Sequence, residues 1–422
     1  MRNLGNHRGL LLGLAATLAV VGGCSSATPA GPENGPSATA SAALGFAAPG
    51  LVRDLYTTPS ANTGSAPSGL VAVGNTVFFV AQESSSGREL WKSDGTPAGT
   101  QLVRDIRPGV QDSAPSQLTV VGGFVYFSAD DGSSGRELWR TDGTAAGTVL
   151  VKDLYPGVSP SFPSNLMDFN GVLYFSAMDA SHGTELWRTD GTAAGTLLVK
   201  DIVAGNFSSS PADLTVAGGR LFFTAETATT GRELWKSDGT AAGTVLVKDL
   251  APGSSNGFVK SLTRMGSRVF FVGFEPSARL SLWTSDGTAE GTRLVYDPTP
   301  GDPYDGATVE SPTVMGGTLY FVSMGKYADS HIGYELWASD GNSVWLVKDI
   351  QPGAGSGWPK QLVATGGLLY FVASDGTTGS ELLEERRHGG GHAADPRHLG
   401  GLEQLRPPVP DRRGRRALLH RG

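Results

Sequence analysis

The chain has 422 residues, of which 60 are glycine and 25 are proline, and only 17% of its residues are charged. This composition favours many short strands joined by tight turns and argues against a helical protein. The net charge of −7 argues against a nucleic-acid partner, because binding to phosphates requires an excess of lysine and arginine. The one cysteine, Cys24, excludes an intramolecular disulfide and a paired-cysteine metal site, and no cofactor is indicated.

Residues 1–23 have the pattern of an export signal. The basic residues Arg2 and Arg8 precede an apolar run from Leu10 to Val21, and small residues follow. The four residues Val21-Gly22-Gly23-Cys24 resemble the lipobox of bacterial lipoproteins. That resemblance implies lipid attachment at Cys24 and anchoring in a membrane of the cell envelope, at the outer membrane or the cell surface. The alternative is an ordinary signal peptide with a chance cysteine.

Residues 24–50 predict a tether that begins at the lipidated cysteine. Beyond Cys24 they consist almost entirely of alanine, serine, proline, glycine and threonine. Such a segment has too few large apolar side chains to form a core, so we expect it to be disordered. No later stretch contains 18 consecutive apolar residues, so the sequence predicts no transmembrane helix beyond the signal.

An internal repeat dominates residues 51–383. A tryptophan recurs at intervals of 48, 48, 48, 48 and 54 residues, usually in the triplet Glu-Leu-Trp: Trp91, Trp139, Trp187, Trp235, Trp283 and Trp337. An aromatic pair precedes each tryptophan and also occurs once more, as Tyr370-Phe371. A fixed period of this length is typical of a solenoid or a propeller.

One unit, residues 117–153, predicts four antiparallel strands. The strands are expected at 117–121, 124–129, 136–141 and 149–154, with glycine-containing turns between them. Adjacent apolar residues such as Tyr126-Phe127 point to opposite faces of a strand, so both faces of each sheet must be covered. A four-stranded sheet packed between copies of itself is a propeller blade, and the sequence therefore predicts an all-β propeller.

About seven blades are expected. Six units have four strands, and the seventh supplies only three, ending near Leu383. The segment Leu51-Val52-Arg53-Asp54 has the sequence of a fourth strand without the other three. We predict that this N-terminal strand pairs with the seventh unit and closes the ring, which would remove the exposed sheet edges.

The recurrent segment Glu-Leu-Trp-x-Ser/Thr-Asp-Gly-Thr-Ala-Ala-Gly-Thr resembles the bacterial ELWxxDGT repeat family of secreted and surface proteins. The resemblance covers roughly residues 51–383 and supports the architecture. It implies no established enzymatic activity. The chain departs from the repeat at Ser281, which replaces the glutamate, and at Asn342-Ser343.

Three acidic positions recur in the units, such as Glu137, Asp142 and Asp153. Two carboxylates at one end of the ring could act as the acid and base of a glycosidase, and loops such as Asp130-Asp131-Gly132 could hold a metal. We favour structural roles, in turns and in pairs with basic residues on neighbouring strands, because catalysis uses unique groups. The repeated tryptophans are likewise expected in the core between blades, although a sugar-stacking surface is the alternative.

No catalytic residue and no metal site is predicted. The sequence supports a non-enzymatic, monomeric module that binds a protein or a polysaccharide through its loops, at the membrane to which Cys24 anchors it. The alternative is a hydrolase of extracellular glycans that uses a site in the propeller channel.

Residues 384–422 break the repeat where a tryptophan is due, and they contain nine arginines and no lysine. A basic tail with its own function is one interpretation. The other is a shifted reading frame. Residues 383–388 can be written CTG GAA GAG CGA CGG CAC, and reading from the second base gives Trp-Lys-Ser-Asp-Gly-Thr. With permitted codons the shifted frame continues to Ala-Ala-Gly-Thr-Arg-Leu-Thr-Arg-Asp-Ile. We expect a disordered, frame-shifted tail.

Overall fold

The computed structural model describes residues 50–55, 64–253, 255–300, 308–327, 330–386 and 403–404. The predicted signal, Cys24 and nearly all of the tether lie outside the described residues, as does most of the predicted tail. The chain divides into two units, Met1–Leu51 and Val52–Gly422, and the second holds every described strand.

The described residues of the second unit form seven antiparallel sheets of four strands each, numbered here in chain order. Sheet 1 consists of β1 (Ser68–Val73), β2 (Thr76–Glu83), β3 (Gly87–Ser93) and β4 (Gln101–Arg104). Sheet 2 consists of β5 (Ser116–Val121), β6 (Phe124–Asp130), β7 (Arg136–Thr141) and β8 (Val149–Lys152). Sheet 3 consists of β9 (Ser164–Phe169), β10 (Val172–Asp179), β11 (Gly183–Thr189) and β12 (Leu197–Lys200).

The remaining sheets repeat the same strand order. Sheet 4 consists of β13 (Ala212–Ala217), β14 (Arg220–Thr227), β15 (Gly231–Ser237) and β16 (Val245–Lys248). Sheet 5 consists of β17 (Lys260–Met265), β18 (Arg268–Glu275), β19 (Arg279–Ser285) and β20 (Arg293–Tyr296). Sheet 6 consists of β21 (Val309–Met315), β22 (Thr318–Tyr327), β23 (Ser330–Ser339) and β24 (Val344–Lys348). Sheet 7 consists of β25 (Lys360–Thr365), β26 (Leu368–Ser374), β27 (Ser380–Arg386) and β28 (Glu403–Gln404).

The predicted all-β propeller with seven four-stranded sheets is confirmed, and the strands of sheet 2 lie within two residues of their predicted bounds. The first strands of successive sheets pack on one another from β1 through β25. In the part of the chain that the structure describes, no helix is long and apolar enough to cross a bilayer.

At the interface between two sheets, the first residue of one aromatic pair packs on the second residue of the next pair. Phe78 and Leu90 of sheet 1 pack against Phe127 and Trp139 of sheet 2, and all four side chains are buried. The neighbour of Phe78, Phe79, belongs to the cluster on the other face of sheet 1. The adjacent apolar residues therefore cover both faces of a sheet, as the sequence predicts.

The fourth strand of sheet 7 is a different segment from the predicted one. β28 pairs with β27, with Gln404 opposite Leu383, and residues 51–54 form no strand. Nevertheless Leu55 is buried against Phe79 and Trp91 of sheet 1. The N-terminal segment therefore packs on sheet 1 without pairing with sheet 7.

Candidate functional site

One face of the propeller carries the longest loops, and we call it the inter-sheet loop face. It is formed by the loops that join the fourth strand of one sheet to the first strand of the next, together with the hairpins between second and third strands. Backbone hydrogen bonds tie the two kinds of loop together, as from Ala114 N to Arg88 O at 3.0 Å. The loops therefore lie at defined positions on a rigid base.

In sheets 1, 2, 3 and 6 a buried glutamate at the start of the third strand holds the following loop in place. In sheet 2, Glu137 accepts hydrogen bonds from Leu154 N at 3.2 Å and from Ser161 N and Oγ at 2.9 and 2.5 Å. Equivalent fully buried glutamates lie in five sheets: Glu89, Glu137, Glu185, Glu233 and Glu335. The predicted pairing with basic residues is wrong for this position, because the partners are loop amides and hydroxyls of the same repeat.

Burial determines the protonation of these glutamates. Desolvation raises the pKa of Glu89, Glu137 and Glu335 to about 7, although hydrogen bonds from the loops oppose the shift. Desolvation raises the pKa of Glu233 further, to about 8. A carboxyl group with no exposed surface serves to position its loop, and in this conformation it does not contact a ligand.

The recurrent turn aspartates have the structural role that the sequence predicts. Asp142 Oδ1 accepts hydrogen bonds from the backbone N and the Oγ1 of Thr144, at 2.8 and 2.7 Å. In the hairpin suggested as a metal loop, Asp131 Oδ1 accepts from Ser133 N and Ser134 N. Among the described residues no three histidine, cysteine, aspartate or glutamate side chains are grouped in a way that could hold a metal ion.

The repeated tryptophans lie in the core, as expected. All six are at most 8% exposed; five of them are part of a cluster between two sheets, and Trp91 packs with Leu55 on the outer face of sheet 1. The alternative, in which these rings form a sugar-stacking surface, does not fit this burial.

Three exposed aromatic residues occupy a different position, on the loop just before the first strand. The backbone there is left-handed in six repeats, at Ala66, Ala114, Phe162, Ser210, Phe258 and Trp358, with φ between 42° and 51°. This conformation costs about 1–2 kcal/mol for a residue with a side chain, and bulky residues rarely adopt it. Phe162, Phe258 and Trp358 nevertheless have it, and their side chains are 56%, 54% and 56% exposed.

The choice of residue at this loop position is linked to the residue that precedes the glutamate position on the third strand. Where the loop residue is small, an arginine donates to its carbonyl oxygen: Arg88 to Ala66, Arg136 to Ala114 and Arg232 to Ser210. Where the loop residue is aromatic, the third strand carries Thr184, Leu280 or Ser380 instead. Sheets 3, 5 and 7 therefore present an aromatic ring where sheets 1, 2 and 4 present an arginine-bound loop.

Two of these rings have aromatic neighbours on the same face. Trp358 stacks on Tyr334, with ring centroids 4.4 Å apart and planes inclined by 17°. Phe258 contacts Phe274 edge-on, with centroids 5.9 Å apart. Such contacts fix the orientation of an exposed ring and leave its outer surface free for a ligand.

A shallow pocket of about 400 Å³ lies between the rings of sheets 3 and 5. Its lining comes from sheets 3, 4 and 5 and is rich in hydroxyl and amide groups, including Asn165, Ser210 and Thr224. Phe162 precedes the first pocket residue by two positions, and Phe258 directly precedes Val259, the first pocket residue of sheet 5. The pocket therefore combines hydroxyl and amide groups with a larger apolar surface, and aromatic residues lie on the flanking loops.

Charged groups at the pocket are largely held by the fold. Arg232 donates to Ser210 O and to Thr224 Oγ1, both at 3.1 Å. Asp213 is the one carboxylate that lines the pocket, and it accepts a hydrogen bond from Ser261 N at 3.0 Å. This pocket offers groups for hydrogen bonding. Its lining does not contain the two carboxylates that a glycosidase mechanism requires.

The sequence predicts binding through the loops in general and does not single out these aromatic residues. The invariant positions of the repeat do not include them, because Phe162, Phe258 and Trp358 lie where other repeats have alanine or serine. A comparison of the repeats at their variable positions is the signal that could have found them.

Similarity to known proteins is found among solved structures. No family model matches the chain, and no curated relative matches it. Among solved structures it is similar to a prolyl endopeptidase, with 13% identity and a TM-score of 0.45 over 76% of this chain and 48% of that one. It is also similar to the β-propeller domain of the Trilobed protease from Pyrococcus furiosus, with 12% identity and a TM-score of 0.39 over 81% and 97%.

A third similar structure is prolyl oligopeptidase B from Galerina marginata, with 12% identity and a TM-score of 0.45 over 81% of this chain and 50% of that one. The chain spans about half the length of the two prolyl peptidases. At these identities the similarity concerns the fold alone.

Proposed function

We propose that this protein is a non-enzymatic module of the bacterial cell envelope that binds a polysaccharide through its inter-sheet loop face. The observation that carries the proposal is the set of exposed aromatic rings at Phe162, Phe258 and Trp358. The proposal includes the export signal and the lipid anchor at Cys24, which would hold the propeller near polymers of the envelope.

The chemistry of the face supports a sugar polymer. A pyranose ring presents an apolar face, which packs on an aromatic ring, and hydroxyl groups, which need donors and acceptors. Phe162 and Phe258 supply aromatic rings for the apolar face of a sugar. The serine, threonine and asparagine side chains of the neighbouring pocket supply donors and acceptors for its hydroxyl groups. The spacing of the rings on alternate sheets suits an extended chain better than a single sugar.

The sequence also allows a protein ligand. The arrangement of the exposed rings favours a polysaccharide over a protein. Protein interfaces concentrate their energy in a buried cluster of large apolar side chains. Here the exposed rings of sheets 3 and 5 are separated by a sheet whose equivalent residue is Ser210. Separate platforms with polar surface between them favour a polysaccharide.

Binding can be measured by affinity electrophoresis of the purified chain in gels that contain soluble xylan, dextran or laminarin. We expect retardation by at least one polysaccharide and a loss of most of it in the Phe162→Ala, Phe258→Ala double variant. Trp345→Ala is the matched control, because Trp345 is 39% exposed on β24, away from the loop face. Equal retardation of both variants, or capture of proteins but no polysaccharide, would overturn the proposal.

A further inference from the structure

The ring has a gap between sheets 7 and 1. First strands pack on one another at each successive interface from β1 to β25, but among the described residues no packing of comparable extent joins β25 to β1. Side chains that are buried at other interfaces are exposed here. Leu382 is 45% exposed, whereas its counterparts in the other six sheets, such as Leu336, are at most 1% exposed.

The gap is apolar on both sides. On sheet 7, Val363 is 46% exposed, and on sheet 1, Leu70 is 49% exposed, whereas the counterparts of Leu70 in sheets 3 and 4, Leu166 and Leu214, are 9% and 6% exposed. An apolar surface of this kind on a sheet face indicates a missing neighbour.

The N-terminal segment identifies that neighbour. Between neighbouring sheets, a basic residue of the fourth strand donates to the carbonyl of a threonine in the next sheet's turn, as Arg104 does to Thr148 at 2.5 Å and Lys152 to Thr196 at 3.0 Å. Arg53 makes the same bond to Thr100 of sheet 1. Leu55 likewise packs on sheet 1, in the cluster with Phe79 and Trp91.

Val52–Leu55 thus occupies the place of a fourth strand in the sheet that precedes sheet 1. It does not belong to sheet 7, whose fourth place β28 occupies. Val52–Leu55 has the contacts of a fourth strand, although the described residues supply no first, second or third strand to accompany it. We propose that the gap receives an eighth repeat of the same sequence type, whose fourth strand is Val52–Leu55.

The shifted reading frame after Leu382 is the proposed source of this repeat. It restores Trp-Lys-Ser-Asp-Gly-Thr and then Arg-Leu-Thr-Arg-Asp-Ile, which would replace β28 as the fourth strand of sheet 7. Leu418 and Leu419 also permit an aromatic pair in that frame, 48 positions after Tyr370-Phe371. The next three strands would therefore follow in register and fill the gap.

Thiol labelling tests the geometry on the full chain with Cys24 replaced by serine. In this background a Leu382→Cys variant should react with a maleimide in the native state, whereas Leu336→Cys should react only after denaturation. Residues 383–422 are then replaced by a copy of residues 139–196, which supplies the end of sheet 7 and three strands of an eighth sheet. We expect labelling of the 382 thiol to slow at least tenfold in this extended chain.

A matched extension carries Phe175→Asp in the copied segment, because that ring would face sheet 7, and it should leave the 382 thiol reactive. A thiol at 382 that is already protected in the present chain would show direct closure by seven sheets and overturn the proposal. Unchanged reactivity in a folded, monomeric extended chain would do the same. A stop codon within a few codons of the shifted frame, or the absence of a further aromatic pair, would overturn the proposed source.

Discussion

The exposed ring of Phe258 contacts Phe274 of sheet 5 edge-on on the inter-sheet loop face, and the backbone of Phe258 is left-handed, with φ of 47°. The same backbone position carries alanine or serine in sheets 1, 2 and 4. The fold therefore imposes the left-handed conformation, and the ring is an addition that the fold does not require.

The first prediction concerns the conflict between stability and binding at this position. Asparagine tolerates the left-handed conformation better than phenylalanine does, and the Phe258 ring is 54% exposed, so little burial is lost. We expect Phe258→Asn to leave the Tm unchanged or slightly raised while polysaccharide binding falls. Thermal unfolding and affinity electrophoresis on the same samples measure both effects.

Ala114→Asn is the control, since it relieves the same strain at a position without a ring. It should raise the Tm without changing binding. A Tm for Phe258→Asn several degrees below that of the parent would show that the ring supports the fold, and would remove the argument that it is present for a ligand.

The second prediction concerns the buried glutamate of sheet 2. Glu137→Leu would leave Leu154 N and Ser161 Oγ without acceptors in a buried site, whereas Ser161 N would keep its hydrogen bond to Arg136 O. Each unsatisfied buried donor costs about 1–3 kcal/mol, so we expect a loss of at least about 2 kcal/mol in the free energy of unfolding. Chemical denaturation measures it.

Glu381→Leu is the matched variant, because Glu381 has the same position in sheet 7 and is only half-buried. Its effect should be under about 1 kcal/mol, in the range of surface substitutions. Equal losses in the two variants would contradict the assigned role of the buried carboxylate in holding its loop.

The third prediction is a stability maximum in mildly acidic solution. The pKa of Glu137 rises from an ordinary value of 4.5 to about 7 on folding, so the folded state binds the proton more tightly. Stability is therefore lost as the pH rises from about 4.5 through 7, since the unfolded chain releases its protons first. Glu89 and Glu335 act in the same direction.

The turn aspartates act in the opposite direction at lower pH. Hydrogen bonds from Thr96 and Thr144 lower the pKa of Asp94 and Asp142 below 3.8, so their contribution is lost as the pH falls through that range. We expect the Tm to be highest between about pH 4 and pH 5, above the pKa of the turn aspartates and below the raised pKa of the buried glutamates. In Glu137→Gln the decline between pH 5 and pH 8 should be shallower, and an unchanged decline would contradict the role of Glu137.

Much of the fold could be predicted from the sequence because the repeat displays its own periodicity. Strand bounds in sheet 2, the aspartate turns and the buried tryptophans all follow from local patterns. The partners of Glu137 could not be predicted, because the hydrogen-bonding loop residues lie 17 and 24 positions away and approach it only when the loop folds back. The rings of Phe162 and Trp358 were missed because a left-handed backbone at a bulky residue has no local sequence signature.

The fourth prediction concerns Cys24, which lies outside the described residues. Metabolic labelling with a fatty-acid analogue should mark the protein, and Cys24→Ala should abolish the label. A single acyl chain binds membranes only marginally, so more than one chain per protein is expected by mass spectrometry. Ser25→Ala is a neighbouring control that should retain the label, and labelling that survives Cys24→Ala would end the lipoprotein interpretation.

The last prediction concerns Leu55, which is 7% exposed and packs against Phe79, Ala81 and Trp91 of sheet 1. Its counterpart in the next repeat, Ile106, is equally buried, at 5%. Truncation of a buried leucine to alanine costs about 2–5 kcal/mol, so Leu55→Ala should lower the free energy of unfolding by about 2 kcal/mol or more. Leu51→Ala, at a side chain that is 82% exposed, should have almost no effect. If both substitutions were neutral, Val52–Leu55 would not be a structural strand of the ring. The Leu55→Ala result therefore tests whether the packing of the N-terminal segment on sheet 1 stabilises the fold.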